Sequence, residues 1–227
     1  MTYVMSDTHG NFEKYSEMLK KINLSDSDTL YILGDVIDRG DDSIRILLDM
    51  MCRPNIFPIL GNHEHMAYPV LKNIYSIFSE QNAYIVDIWQ TWMLNGGRYT
   101  LEPFLDLSDE DKDAIVEYLG EEFSAYEEIT VGENKFLLVH GGLPDFSEQK
   151  PLDDYALHDI VWHRTDIDKT YFTDKFLITG HTPTFHYGEE HRSKIVIKNK
   201  NIAIDCGVSC GEALGCIRLD DFAEFYV

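Results

Sequence analysis

Leu33-Gly34-Asp35-Val36-Ile37-Asp38-Arg39-Gly40 is the stretch around which this chain is organised. It follows an apolar run, residues 30–33, that reads as a buried strand. The carboxylates of Asp35 and Asp38 and the guanidinium of Arg39 therefore stand where a strand ends and a loop begins. In an open α/β sheet that is where ligands bind. Gly34 permits a sharp turn and lets a ligand approach the backbone closely. A turn rich in Asp and Gly is also a common surface feature. This one stands out because four more strand ends carry polar ligand types.

Upstream, residues 3–6 read as a first strand that runs into Ser6-Asp7-Thr8-His9-Gly10. Asp7 and His9 are two apart, so an extended backbone points them to one side, where they could share a metal. Asn11 is a good N-cap for a helix in which Phe12, Tyr15, Leu19 and Ile22 recur at helical spacing. Together with the strand before Asp35 this makes a βαβ unit. Downstream, residues 41–51 read as a helix with Ile44, Leu47 and Leu48 on its buried side. The strand at 56–60 leads into Gly61-Asn62-His63-Glu64, where Asn62 offers a neutral oxygen and His63 a ligand or a proton donor. His65 reads as structural, because Met66 and Ala67 start a helix.

Residues 66–124 break the alternation. They read as a helical insertion within a single domain spanning 1–227, with Tyr68, Tyr75, Phe78, Trp89 and Trp92 as core aromatics. Leu94-Asn95-Gly96-Gly97 interrupts it, and Ser108 to Asp111 resembles a capping box ahead of Ile115, Val116 and Leu119. Strands resume at 129–131 and 135–139, the second ending in His140-Gly141-Gly142. Another, 176–179, ends in Gly180-His181-Thr182-Pro183. The remainder, 194–198, 201–205, 214–219 and 222–226, reads as a β meander.

Composition narrows the partners. The 227 residues carry a net charge of −21, which repels nucleic acid. A phosphorylated substrate would need local positive charge, and metal ions would provide it. No apolar run approaches roughly eighteen residues, so no membrane span is expected. The first residues enter a strand directly, without a basic and then apolar leader. Cys52, Cys206, Cys210 and Cys216 form no C-x-x-C pair. Reduced thiols in a cytoplasmic chain are the simplest account, with Cys206, Cys210 and Cys216 read as packing residues more readily than as a soft-metal site.

Asp7, His9, Asp35, Asn62, His63, His140 and His181 supply oxygen and nitrogen donors and no thiolate, a set suited to manganese, iron or zinc. They outnumber the needs of one ion, and two divalent ions sharing a carboxylate account for the surplus. Such a pair would hold a hydroxide for in-line attack on phosphorus. His63 could protonate the leaving oxygen with Asp38 orienting its ring, and Arg39 and Arg164 could grip phosphate oxygens through their planar forks.

As a set, S-D-T-H-G at 6–10, G-D-V-I-D-R-G at 34–40, G-N-H-E at 61–64, H-G-G at 140–142 and G-H-T-P at 180–183 resemble the phosphoprotein phosphatase family of calcineurin-like binuclear metallophosphoesterases. L-N-G-G at 94–97, I-V-W-H-R at 160–164 and I-D-C-G at 204–207 resemble its small bacterial and lambda-type phage members. The resemblance implies an α/β (α+β) four-layer fold, a central β-sandwich flanked by helices. It places Asp7, His9 and Asp35 on one metal and Asp35, Asn62, His140 and His181 on the other, with manganese first among the candidates. It makes His63 the general acid paired with Asp38, and assigns phosphate binding to Arg39, Arg164 and Asn62. Ser6 stands where the family has glycine, a change expected to be tolerated. The implied activity is a phosphomonoesterase acting on Ser or Thr phosphate in proteins. The alternative is a symmetrical bis(5'-nucleosyl)-tetraphosphatase, which shares the motifs. A catalytically dead binding scaffold is disfavoured because no ligand is missing. The expected partner is a phosphorylated protein or a small phosphate ester, with neither nucleic acid nor membrane, and a monomer is compatible with the sequence.

Overall fold

Alternation along the strands divides the apolar residues between two cores. The computed structural model describes residues 1–76 and 83–227. Strands β1 (Thr2–Met5), β2 (Thr29–Leu33) and β3 (Ile56–Ile59) run parallel and alternate with helices α1 (Phe12–Lys21) and α2 (Ser43–Met51). Helices α3 (Asn62–Lys72), α4 (Ala83–Leu94), α5 (Arg98–Leu105) and α6 (Asp109–Glu121) precede β4 (Tyr126–Val131) and β5 (Asn134–Val139). A short α7 (Leu157–Trp162) leads to β6 (Lys175–Thr179). Two hairpins follow, β7 (Val196–Lys198) with β8 (Asn201–Ala203), and β9 (Gly215–Arg218) with β10 (Ala223–Tyr226).

The strands form two sheets, ordered β10-β9-β1-β2-β3 and β4-β5-β6-β8-β7. Val4, Leu33 and Ile59 of the first sheet meet Phe136, Leu138, Ile178 and Ile202 of the second in one core. Tyr3, Met5, Leu30 and Ile32, and Leu137 and Val139 of the second sheet, point the other way into a core shared with helical residues such as Tyr15, Leu47, Val70 and Trp92. The result is two sheets face to face, flanked by helices, the arrangement expected from the sequence. Among the described residues, no helix is long and apolar enough to cross a membrane.

Several local expectations are corrected. The last four strands are not one meander: β7 and β8 join the second sheet, and β9 and β10 the first. Two short hairpins look alike in sequence whichever sheet they join, because the pairing partners β6 and β1 lie far away in the chain. Leu48 is 36% exposed, and Ile46 and Met50 take the buried positions beside Ile44 and Leu47. Helix α3 begins at Asn62, not Met66, because extended Gly61 serves as its N-cap. Tyr75 is exposed and hydrogen-bonds Asp109. Phe78 lies outside the described residues. Asn11 caps α1 and Ser108 caps α6, each accepting from the backbone N–H three residues on. Cys206 and Cys216 are buried in the two apolar cores, whereas Cys52 and Cys210 are exposed.

The loops after β1 and β2 are stitched together. The Asp7, His9 and Gly10 amides donate to the carbonyls of Gly34, Asp35 and Val36 at 3.1, 2.9 and 2.8 Å. Gly34 makes this possible with φ +71°, lying so close to Gly61 that a Cβ would overlap that backbone and approach His140 Nδ1 to 2.9 Å. Left-handed strain and a clash with backbone that cannot move add up. Gly34→Ala is expected to lower unfolding free energy by at least about 2 kcal/mol in urea titration, and a loss under about 0.5 kcal/mol would contradict this packing.

Candidate metal centre

The candidate residues converge because parallel strands deliver their C-terminal ends to one edge. Asp7 and His9 follow β1, Asp35 follows β2, His140 follows β5 and His181 follows β6. Asn62 and His63 occupy the first turn of α3, just past β3. Asp7 and His9 do not converge by strand alternation, since both lie beyond β1 with positive φ, 56° and 43°. Asp35, Asp38, Arg39 and His181 are also left-handed. Such backbone costs about 1–3 kcal/mol per residue and persists only where the surroundings enforce it.

Here they do. Glu64, fully buried, accepts four backbone N–H groups: Asp35 at 2.9 Å and Gly61 at 3.1 Å on Oε2, Val36 at 2.8 Å and Ile37 at 3.2 Å on Oε1. Burial and the nearby Asp35 push its carboxyl up to about 7, while the donors favour the anion. Glu64 closes the G-N-H-E motif, in which Asn62 and His63 alone read as ligand types. An acidic residue at the third position of a helix was the available signal.

Ligand-type atoms fall into two triads that share Asp35. His9, Asp35 and His63 form one, and Asp35, His140 and His181 the other, with all atoms of a triad within 4.8 Å of one another. Asp7 Oδ1 faces the first at 3.9 Å from His9 Nε2, and Asn62 Oδ1 lies 3.0 Å from His140 Nε2. Ring orientation separates the histidines. His9 Nδ1 is 3.1 Å from the Ile37 carbonyl, His140 Nδ1 is 2.5 Å from that of Leu33, and His181 is bonded to that of Trp162. A carbonyl fixes the proton on one nitrogen and leaves the other a bare lone pair, as a metal ligand requires. His63 differs: its Nδ1 meets a carboxylate, Asp38 Oδ2, at 2.6 Å.

Charge draws a different line, setting His140 with His63 apart from His9 and His181. Burial pushes His9 and His181 down to about 3, keeping both neutral. Burial opposes charge on His140, but Asp35 and Asp7 raise it to about 10. Burial works against ionised Asp35 as well, yet His140, His63 and His9 hold it well below the usual carboxylate range. Burial and Asp205 push Asp7 well up. Without a cation, this buried carboxylate group takes its positive charge from protons on imidazole. Imidazoles, carboxylates and an amide oxygen in two clusters would suit two divalent cations, with Asp35 common to both donor sets.

Asp38 is itself tightly held. Its Oδ2 also accepts from Trp92 Nε1 at 2.7 Å, and its Oδ1 from Thr100 Oγ1 at 2.6 Å. Trp92 is thus a core aromatic, as expected, and also a hydrogen-bond donor to this carboxylate. The L-N-G-G motif gains a reason. A Cβ on Gly97 would lie 2.6 Å from the Trp92 ring, and the Gly96 carbonyl faces the Arg39 N–H at 3.4 Å. Arg39 Nη1 lies 3.1 Å from His9 Nε2, and its Nη2 3.0 Å from His63 Nε2. Arg164 is exposed near His181 and Tyr187. Ser6 donates to Asp7 Oδ2 and to the Leu33 carbonyl, bridging β1 to β2 where the family motif has no side chain. Asp205, buried beyond β8 and raised to about 6 chiefly by burial, joins the carboxylates. It is the Asp of I-D-C-G, a motif that carries no ligand assignment in the sequence.

The family model for calcineurin-like phosphoesterases matches residues 2–207. A protein of Wigglesworthia glossinidia brevipalpis named symmetrical bis(5'-nucleosyl)-tetraphosphatase is 42% identical over 64 residues, 27% of this chain and 24% of that one. One of the same name from Delftia acidovorans is 27% identical over 151 residues, 65% of this chain and 47% of that one. The chain therefore spans half or less of these relatives. Among solved structures, a candidate diadenosine tetraphosphatase superposes with a TM-score of 0.68 at 16% identity, covering 100% of this chain and 92% of the other. A protein serine/threonine phosphatase from Saccharomyces cerevisiae gives 0.60 at 16% identity, covering 100% and 78%. At such identities the two structures speak for the fold alone.

Glu64→Gln tests the support beneath the site. An amide nitrogen would face two of the four N–H donors, and buried donors left unpaired cost about 1–3 kcal/mol each. The variant is expected to lose about 3 kcal/mol in urea unfolding, and a loss below about 1 kcal/mol would show that Glu64 is not what holds these loops.

Proposed function

The chain belongs to the calcineurin-like phosphoesterase family and is a metallophosphoesterase-type hydrolase, and from that premise we propose that it cleaves a dinucleoside tetraphosphate symmetrically. The observation that carries the chemistry is the His63–Asp38 pair, 2.6 Å apart beside two ligand triads that share one carboxylate. The tetraphosphate is favoured by the curated relatives, which carry that activity in their names.

In this reading Asp7, His9 and Asp35 hold one divalent cation, and Asp35, Asn62, His140 and His181 the other. When bound, the cations lower the pKa of water and neutralise charge on phosphoryl oxygens. The chain does the rest. Arg39 and Arg164 grip phosphate oxygens with their planar forks, and Asn62 adds a neutral contact. Arg39 rests on His63 Nε2, and its turn toward phosphate frees that nitrogen. Burial opposes a charged His63, but Asp35 and Asp38 raise its pKa, so Nε2 can carry the proton that the leaving oxygen takes. Asp38, anchored by Trp92 and Thr100, keeps the ring aimed while the proton leaves.

The Ser/Thr protein phosphatase expected from the motifs is the second reading. It is supported by the exposure of Arg39 and Arg164, which leaves bound phosphate accessible to a protein surface.

Hydrolysis of diadenosine tetraphosphate and of a phosphoserine peptide, measured side by side with manganese, iron(II) or zinc, decides between them. The dinucleotide is expected to turn over with the higher kcat/KM and to yield ADP alone, and chelation is expected to abolish both activities. Preference for the peptide would replace the first reading by the second. His63→Asn is expected to lower kcat by about 100- to 10,000-fold with little change in metal content. A loss under tenfold would remove His63 from the acid role.

A further inference from the structure

Beside His181 lies an apolar-walled pocket of about 270 Å³, built by α3, α4 and α7. We propose that it holds a nucleobase of the substrate, an inference that rests on the dinucleotide reading above.

Three flat rings line the way in. The Trp162 ring is 5.9 Å from that of His181, the His158 ring 6.0 Å from that of Trp162, and the His65 ring 6.0 Å from that of His158. The pocket therefore opens one ring away from a candidate metal ligand. Ile88, half-buried on α4, supplies aliphatic wall. The volume is just below the range of small-molecule pockets, which run from about 300 Å³ upward, and suits one heterocycle. Bases stack on such rings whatever their sequence, since every base has a π-face.

The polar groups at the rim set the chemistry. Asp87 and Thr91 are exposed there, one turn apart on α4, and Thr91 Oγ1 already donates to the Asp87 carbonyl at 2.9 Å. The Asp87 carboxylate can accept from an exocyclic amine or a ring N–H. No Lys or Arg stands among the described lining residues, and a carboxylate repels phosphate. The pocket thus suits the uncharged, amine-bearing end of a nucleotide, while Arg39 and Arg164 lie at the charged end. His65, read from sequence as structural, becomes part of a recognition surface. Helix α4, which breaks the strand alternation, becomes the wall that selects the substrate.

The test compares ADP with methyl diphosphate, which carries an esterified diphosphate without the nucleoside. Calorimetric titration of each into manganese-loaded protein gives two dissociation constants. ADP is expected to bind about tenfold more tightly in the wild type, the scale of one stacked base. His158→Ala removes a ring, and Ile88→Asp puts a second carboxylate in the wall. Each is expected to bring the two constants within about twofold, with circular dichroism confirming the fold. Equal binding in the wild type, or a preference that survives both variants, overturns the pocket. Wild-type protein that prefers ADP in this way but fails to cleave the dinucleotide refutes the substrate reading and leaves the base pocket standing. Cleavage without the preference does the reverse.

Discussion

One buried carboxylate carries more of this structure than any metal-ligand candidate. Glu64 collects the amides of Asp35, Val36 and Ile37 from the loop after β2 and that of Gly61 from the start of α3. Loops resist burial because their polar backbone groups need partners. Here a side chain supplies four at once, so an irregular loop can run through the interior. Asp35, the carboxylate common to both ligand triads, has its backbone N–H fixed by this contact. His63 N–H in turn donates to Asp35 Oδ1 at 3.0 Å, coupling the start of α3 to the same carboxylate. The first turn of α3 thus fixes where His63 stands relative to Asp35.

Around that anchor the chain accepts costs it would avoid elsewhere. Left-handed backbone at Asp7, His9, Asp35, Asp38, Arg39 and His181 is concentrated within one cluster of loops. Buried Asp7, Asp35 and Asp205 crowd three carboxylates into a small region beside Arg39 and the imidazoles. Like charges in a low-dielectric interior disfavour one another unless cations intervene. Strain and crowded carboxylates lower stability and prepare the site for divalent ions, and the two apolar cores on either face of each sheet offset the cost.

The helices between β3 and β4 reach both the candidate site and the pocket beside it. Through Trp92 and Thr100 they hold Asp38, and through Gly96 they touch the Arg39 backbone. The same α4 helix that contributes Trp92 walls the pocket beside His181. A segment that looks like filler in one dimension therefore holds Asp38 with one side and walls an apolar pocket with the other.

What the sequence determined by itself was local: the strands and their polar ends, the caps at Asn11 and Ser108, and the motif set that identifies the family. These were legible because residue type and short spacing decide them. Asp7, His9, Asp35, Asn62, His63, His140 and His181 are all legible at strand ends in the sequence, and the fold brings them to one edge. What only the tertiary structure decided depends on partners distant in the chain. Glu64, Trp92 and Thr100 matter through contacts reaching back 27 to 62 positions, with Asp38 at the far end of the longest. The final hairpins belong to different sheets because β8 pairs with β6 while β9 pairs with β1. Periodicity records which face of an element is buried, but not against what, because burial is satisfied equally by any apolar neighbour and a hydrogen bond only by the one atom placed to receive it.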